Sequence, residues 1–102
     1  MQLENKSEPS AEPGKEFVFR LRNGTEVGRA RTLSEFLAKL KTVPVESVDY
    51  HFSGHHFSPW LRYIRLNDLA GSIERLNSRG ERLRQEIIDL VNSQTVSRFV
   101  GR

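Results

Sequence analysis

KEFVFRLRNGTEVGRAR, residues 15–31, decides the fold. At its centre Asn23-Gly24 separates two β-prone runs, and Asn-Gly tolerates the positive φ angles that a type I′ hairpin turn demands. Taken as a two-residue turn, it sets Arg22 against Thr25, Arg20 against Val27, Val18 against Arg29 and Glu16 against Arg31. Opposed residues share a face, and alternate residues change face. One face then gathers Phe17, Phe19, Leu21, Gly28 and Ala30, with Glu26 beside the turn as its one charge. The other gathers Arg20, Arg22, Arg29 and Arg31, with Val18, Val27, Thr25 and Glu16. Aromatic rings go to a core and guanidinium groups to solvent. The small Gly28 and Ala30 leave room for those rings or for a helix packed on them.

The next segment, TLSEFLAKL at 32–40, reads as a helix. Thr32 and Glu35 have the spacing of a capping box, which satisfies free amide donors at a helix start. Leu33, Phe36, Leu37 and Leu40 repeat at i, i+3, i+4, i+7, and Pro44 ends the helix before it. SVDYHF at 47–52 alternates, with Val48, Tyr50 and Phe52 on one side and Ser47, Asp49 and His51 on the other, which predicts a third strand. A right-handed crossover would set that strand beside the first, giving sheet order 2-1-3. Ser58-Pro59 predicts a short helix to about Arg65, and Leu69, Ile73 and Leu76 mark another. Ser78 and Glu81 offer a capping box for the longest helix, lined by Leu83, Ile87, Leu90 and Val91. The expected fold class is therefore α+β: a small three-stranded antiparallel sheet packed with about four helices.

At 102 residues the chain fits one domain. Residues 1–14, MQLENKSEPSAEPG, hold few apolar side chains and read as a disordered tail, 15–94 as the domain and 95–102 as a frayed end. No secretory or transit pattern is present, and no apolar run is long enough to span a bilayer. The chain has no cysteine, which excludes disulfides and thiolate chemistry and fits a cytoplasmic protein. Lys and Arg number 16 against 13 Asp and Glu, for a net +3. The tail is acidic, so the folded part is the more basic. Twelve of the 16 cations are arginines, which suit planar recognition of phosphate or carboxylate.

The three histidines fall in HFSGHHFSPW, residues 51–60. Three imidazoles are an accepted zinc set. Here, though, His55 and His56 are adjacent in a loop after Gly54, and no His-Glu-x-x-His pattern exists. Asp49 and His51 stand at i and i+2 of the expected strand, side by side rather than imidazole to carboxylate. Ser53 and Ser58 sit in no nucleophile elbow, and no glycine-rich phosphate loop is present. The reading is that of a non-enzyme with no cofactor and no metal, its paired histidines a solvated turn and Phe57 and Trp60 core residues.

FVFRLRNGTEVGRARTLSEFLAKLKTVPVESVDYHF, followed by HFSPWLR, resembles a small prokaryotic, largely archaeal family known only as a domain of unknown function. The resemblance spans about 15–91 and is carried by Tyr50, His51, Phe52, Phe57, Ser58, Trp60, Leu69 and Ala70. That family tends to have Asn-Asp where this chain has His55-His56, and Gly-Asp where it has Arg65-Leu66. The resemblance implies a compact domain in a prokaryotic cytoplasm and leaves His51 as the histidine of interest. It implies no activity.

The function expected from the residues is a non-catalytic interaction or regulatory module. Arg20, Arg22, Arg29 and Arg31 would contact an anionic partner: nucleic acid, a ribonucleoprotein or an acidic protein surface. Arg79, Arg82 and Arg84 are a secondary contact, diluted by Glu81, Glu86 and Asp89. RNA-binding sheets display aromatics outward, and here the phenylalanines face away from the arginines, so phosphate contact is expected rather than base reading on the sheet. The alternatives are a docking or homodimerisation domain, as a monomer or weak dimer, and a small His-dependent metal enzyme. No membrane partner is expected.

Overall fold

The computed structural model describes residues 8–100, with side chains described through residue 94. The order is β1 (Phe17–Arg20), β2 (Glu26–Ala30), α1 (Leu33–Thr42), α2 (Val45–Ser53), α3 (Phe57–Tyr63), α4 (Asn67–Glu74) and α5 (Gly80–Val100). Among the described residues the fold is α+β, with one sheet of two antiparallel strands and five helices.

The hairpin forms where Asn23-Gly24 placed it, by a different turn. Gly24 has φ 96°, while Arg22 and Asn23 keep negative φ. Leu21 and Thr25 close the loop through a 2.9 Å amide-to-carbonyl bond, with Gly24 N–H donating 2.8 Å to Leu21 O. This is a three-residue loop with glycine alone in the left-handed region, which spares Asn23 the positive φ of a type I′ turn. The extra residue is absorbed by a bulge. Phe17, Val18 and Phe19 pair with Ala30, Arg29 and Gly28, the expected register, but Arg20 pairs with Glu26 instead of Val27. Glu26 consequently joins the arginine side of the sheet. Phe17, Phe19 and Ala30 are buried, and Arg20, Arg22, Arg29 and Arg31 are exposed.

The third strand is not there. Residues 47–52 belong to α2, so the three-stranded 2-1-3 sheet is corrected to a single hairpin. Six residues alternating in polarity also satisfy an i, i+3, i+4 stripe. On the helix, Ser47, Val48 and His51 form the buried face. Two of those three are polar side chains that a simple apolar pattern assigns to solvent. Glu46 in the first turn favours the helix through its dipole. Where a third strand would have paired with β1, α2 packs instead.

The Thr32 half of the expected α1 capping box forms, and Glu35 closes on the amide one residue earlier. Thr32 Oγ1 accepts from Glu35 N at 3.1 Å, and Glu35 reaches back to the amide of Arg31 at 2.7 Å. The box expected for α5 does not. Gly80 N–H instead donates to Asp49 Oδ1 of α2 at 2.8 Å, and Ser78 bonds Glu86. Of the run expected as a tail, residues 1–7 lie outside the described residues. Residues 8–14 lie along the domain: Ala11 is buried, its amide bonds Arg31 O at 2.8 Å, and Ser10 bridges Thr32. At the other end the helical backbone of α5 continues through Val100.

The core has two halves. Phe17 is the hub of one, with ring centroids 4.8–5.8 Å from Phe19, Phe36, His51, Phe57 and Trp60, in the edge-on and tilted arrangements aromatic groups favour. Aliphatic side chains from α1, α2, α4 and α5, among them Leu40, Val48, Ile73, Leu83 and Ile87, build the other. Gly28 lets α1 approach, because a Cβ there would stand 3.2 Å from Lys39 and 3.4 Å from Val43. Ile88, beside the main stripe of α5, is buried within the chain.

Arg84 ties α5 to the end of α1. Its Nη1 donates to Leu40 O and Val43 O at the end of α1, at 2.9 and 2.6 Å, while Glu81 holds the rest of the fork. Arg84→Ala is expected to lower unfolding free energy by about 2 kcal/mol, since bonds to a charged donor are lost and two carbonyls are left unpaired. Arg84→Lys would restore only part of this in a urea titration, because an ammonium lacks the planar fork.

Candidate functional site

His51 and His56 flank the end of α2, and the local backbone brings them together. His56 N donates to His51 O at 2.9 Å and His55 N to Phe52 O at 3.1 Å, the paired bonds of a Schellman ending. Such an ending needs a left-handed residue, and here it is His55, with φ 58°. Glycine is the usual occupant, yet the neighbouring glycine, Gly54, has φ −86° and no conformational need to be one. The reason lies in space. A Cβ on Gly54 would fall 2.5 Å from His56 Nε2, because the His56 ring folds back over it.

That fold-back puts His56 Nδ1 3.0 Å from His51 Nδ1. His51 is 4 % exposed, and its other nitrogen, Nε2, accepts the Arg20 amide of β1 at 2.8 Å. The tautomers follow from these bonds. An accepting Nε2 leaves the proton of neutral His51 on Nδ1, which donates to His56 Nδ1. Neutral His56 then carries its own proton on Nε2. The result is a relay from a strand amide through a buried imidazole to an exposed one. Burial first, then the positive charges of His56 and Arg20, pushes His51 down to about 4.

The relay speaks against metal binding and base catalysis at His51. Binding a metal through Nδ1 would require the His51 proton on Nε2, against the Arg20 N–H. With both nitrogens engaged, His51 has no lone pair free to act as a base. Among the described residues no three His, Asp or Glu side chains gather to hold a metal ion. Asp49, which the strand reading set beside His51, caps α5. On the far side of the turn, His55, Ser58, Pro59, Arg62 and Glu74 line a cleft of about 420 Å³. Glu74 is held below the usual carboxylate range by the Ser58 hydroxyl and then by Arg62, which pairs with it at 3.0 Å. Ser58 is buried, with its hydroxyl against that carboxylate.

The four hairpin arginines divide. Arg29 is 2.5 Å from Glu26 and 3.9 Å from Glu16. Arg31 donates from Nε to Ala11 O at 2.8 Å. Arg20 and Arg22 have no carboxylate within ion-pair distance among the described residues; Arg20 reaches Gly24 O at 3.0 Å, and Arg22 lies over the Tyr50 ring, 5.9 Å from its centre. Tyr50 in turn meets the His56 ring at 5.2 Å. Of the secondary set, Arg84 is a structural clamp, Arg82 pairs with Glu86 at 3.3 Å, and Arg79 lies over Phe52 at 5.6 Å. The structure thus gathers Arg20, Arg22, Tyr50 and His56 into one patch. Reading 47–52 as a strand hid Tyr50 and His56 from that patch. The signal that was available is the five-residue spacing of His51 and His56 across a helix end.

The chain matches no protein-family model, no curated protein and no solved structure in the comparisons made with each. No helix among the described residues is long and apolar enough to cross a membrane.

Two outcomes follow from the histidine turn. His55→Gly is expected to stabilise the fold by up to about 1 kcal/mol, by relieving left-handed strain, whereas Gly54→Ala destabilises by displacing the His56 ring; thermal or urea unfolding reads both. The folded-state value of His51 lies below its unfolded value, so the unfolded chain takes up its proton first on acidification. Stability present above pH 6.5 is therefore lost as pH falls toward about 4, by up to about 3 kcal/mol, and His51→Gln removes that dependence. Nitrogen-15 spectra of the imidazoles should show the Nδ1–H tautomer for His51 at neutral pH.

Proposed function

We propose that this chain is a non-catalytic interaction module that contacts an anionic partner through Arg20 and Arg22, beside Tyr50 and His56. The observation that carries the reading is the division of the arginines. Arg29 is committed to Glu26 and Glu16 and Arg31 ties down the incoming segment at Ala11, whereas Arg20 and Arg22, with no carboxylate in ion-pair distance among the described residues, touch only Gly24 O and the Tyr50 ring. Exposed cations free of carboxylates can exchange their counterions for a polyanion, which makes binding salt-dependent. The proposed surface is narrower than the full arginine face, with Arg29 and Arg31 as its structural border. A cytoplasmic setting accompanies the reading, in keeping with a chain that has no cysteine. The resemblance to a family of unknown function adds no activity to it.

Heparin, a generic polyanion, tests the reading in a binding titration at low and moderate salt. Arg20→Ala with Arg22→Ala should weaken binding at least tenfold and flatten its salt dependence. Arg29→Ala with Arg31→Ala should change it less than threefold. Equal losses from both pairs, or no binding by the wild type at low salt, would refute the assignment.

A further inference from the structure

We infer that the anionic partner is single-stranded nucleic acid, bound by stacking a base against the Tyr50–His56 corner while Arg20 and Arg22 hold its phosphates. The inference rests on the proposed function and adds the partner's class. Phosphates alone would not select among polyanions, so the argument turns on what stands between the cations.

Three planar groups are contiguous there. The Arg22 guanidinium lies 5.9 Å over the Tyr50 ring, and the Tyr50 and His56 rings meet at 5.2 Å, inclined by 72°. Tyr50 is half-buried, so its position is fixed by the fold, and His56 is exposed. Planar π faces set among free guanidiniums are what a sequence-tolerant single-strand site offers: aromatic platforms for bases and cations for the backbone. The carboxylates of an acidic peptide would engage the cations without the base stacking that the rings offer a nucleic acid. The relay sharpens the point. Because His51 donates to His56 Nδ1, the neutral His56 ring presents Nε2 as a donor, suited to a phosphate or base oxygen. A platform ring is held in one orientation by a buried partner, at the cost of a left-handed His55.

A duplex fits less well. Groove readers present a helix with free basic side chains, and among the described residues the arginine-rich helix start is that of α5. There Arg84 and Arg82 are tied to Glu81 and Glu86. The sheet is excluded as a stacking platform, since Phe17 and Phe19 are buried.

The test compares three labelled probes at one salt concentration: a mixed-sequence RNA strand of about 12 nucleotides, within the span such sites cover, its duplex, and polyglutamate. The strand is expected to bind at least tenfold more tightly than the other two. Tyr50→Leu should weaken strand binding about tenfold, the loss of one stacked base, and Tyr50→Phe should retain it. Should Tyr50→Leu unfold, amide and imidazole shifts of the wild type titrated with the strand decide instead, with the changes centred on Arg22, Tyr50 and His56. Duplex or polyglutamate binding as tight as the strand, unchanged binding by Tyr50→Leu, or shifts centred elsewhere would overturn the inference and leave an anion-binding module standing. Failure of all three probes and of heparin would remove both.

Discussion

A single backbone amide, Arg20 N–H, organises the centre of this structure. It lies on the side of β1 that a third strand would have paired, and the structure meets it with an imidazole. His51 Nε2 accepts that proton at 2.8 Å from within α2. A part-buried amide left alone would carry a desolvation penalty, so the imidazole takes the place of a strand edge. Once His51 is turned to β1, its second nitrogen points to the end of its own helix, and the chain must return there to satisfy it. Gly54, His55 and the folded-back His56 ring are that return. The aromatic cluster around Phe17 closes on the same imidazole, with ring centres 4.9 Å apart.

The arginines show how one residue type divides between support and display. Arg84 is 13 % exposed and caps the last carbonyls of α1. Arg31 holds the incoming segment at Ala11, and Arg62 closes a cleft with Glu74. The bulge at Val27 in β2 brings Glu26 to the outer face of the hairpin, where Arg29 holds its carboxyl below the usual range. A surplus of positive charge in the sequence therefore overstates the charge available to a partner. Arg20 and Arg22 stand at the tip of the hairpin, where the C-terminal part of α2 lies alongside.

Much of the architecture could be read locally. The pairing of Phe17, Val18 and Phe19 with Ala30, Arg29 and Gly28 follows from alternation and one glycine turn. The cap on α1 and the stripes of α1, α4 and α5 follow from spacing within a few residues. The reading failed at 47–52, where three apolar residues at alternate positions, Val48, Tyr50 and Phe52, suit a strand as well as a helix. What settles that segment is the burial of Ser47 and His51, and polar burial has no periodic signature. The start of α5 failed for a related reason: Ser78 was available as a local cap, but Asp49, 31 residues before Gly80, took the role.

The sequence by itself determined the hairpin, the inward phenylalanines, the outward arginines and most helix positions, because sterics and hydrophobic period act between residues close in the chain. Tertiary structure alone decided that α2 replaces a strand, which guanidiniums stay free, and that His51 and His56 form a pair beside Tyr50. Those outcomes depend on which distant donor, acceptor or carboxylate arrives at a side chain, and a polar group's environment is set by packing rather than by its neighbours in sequence.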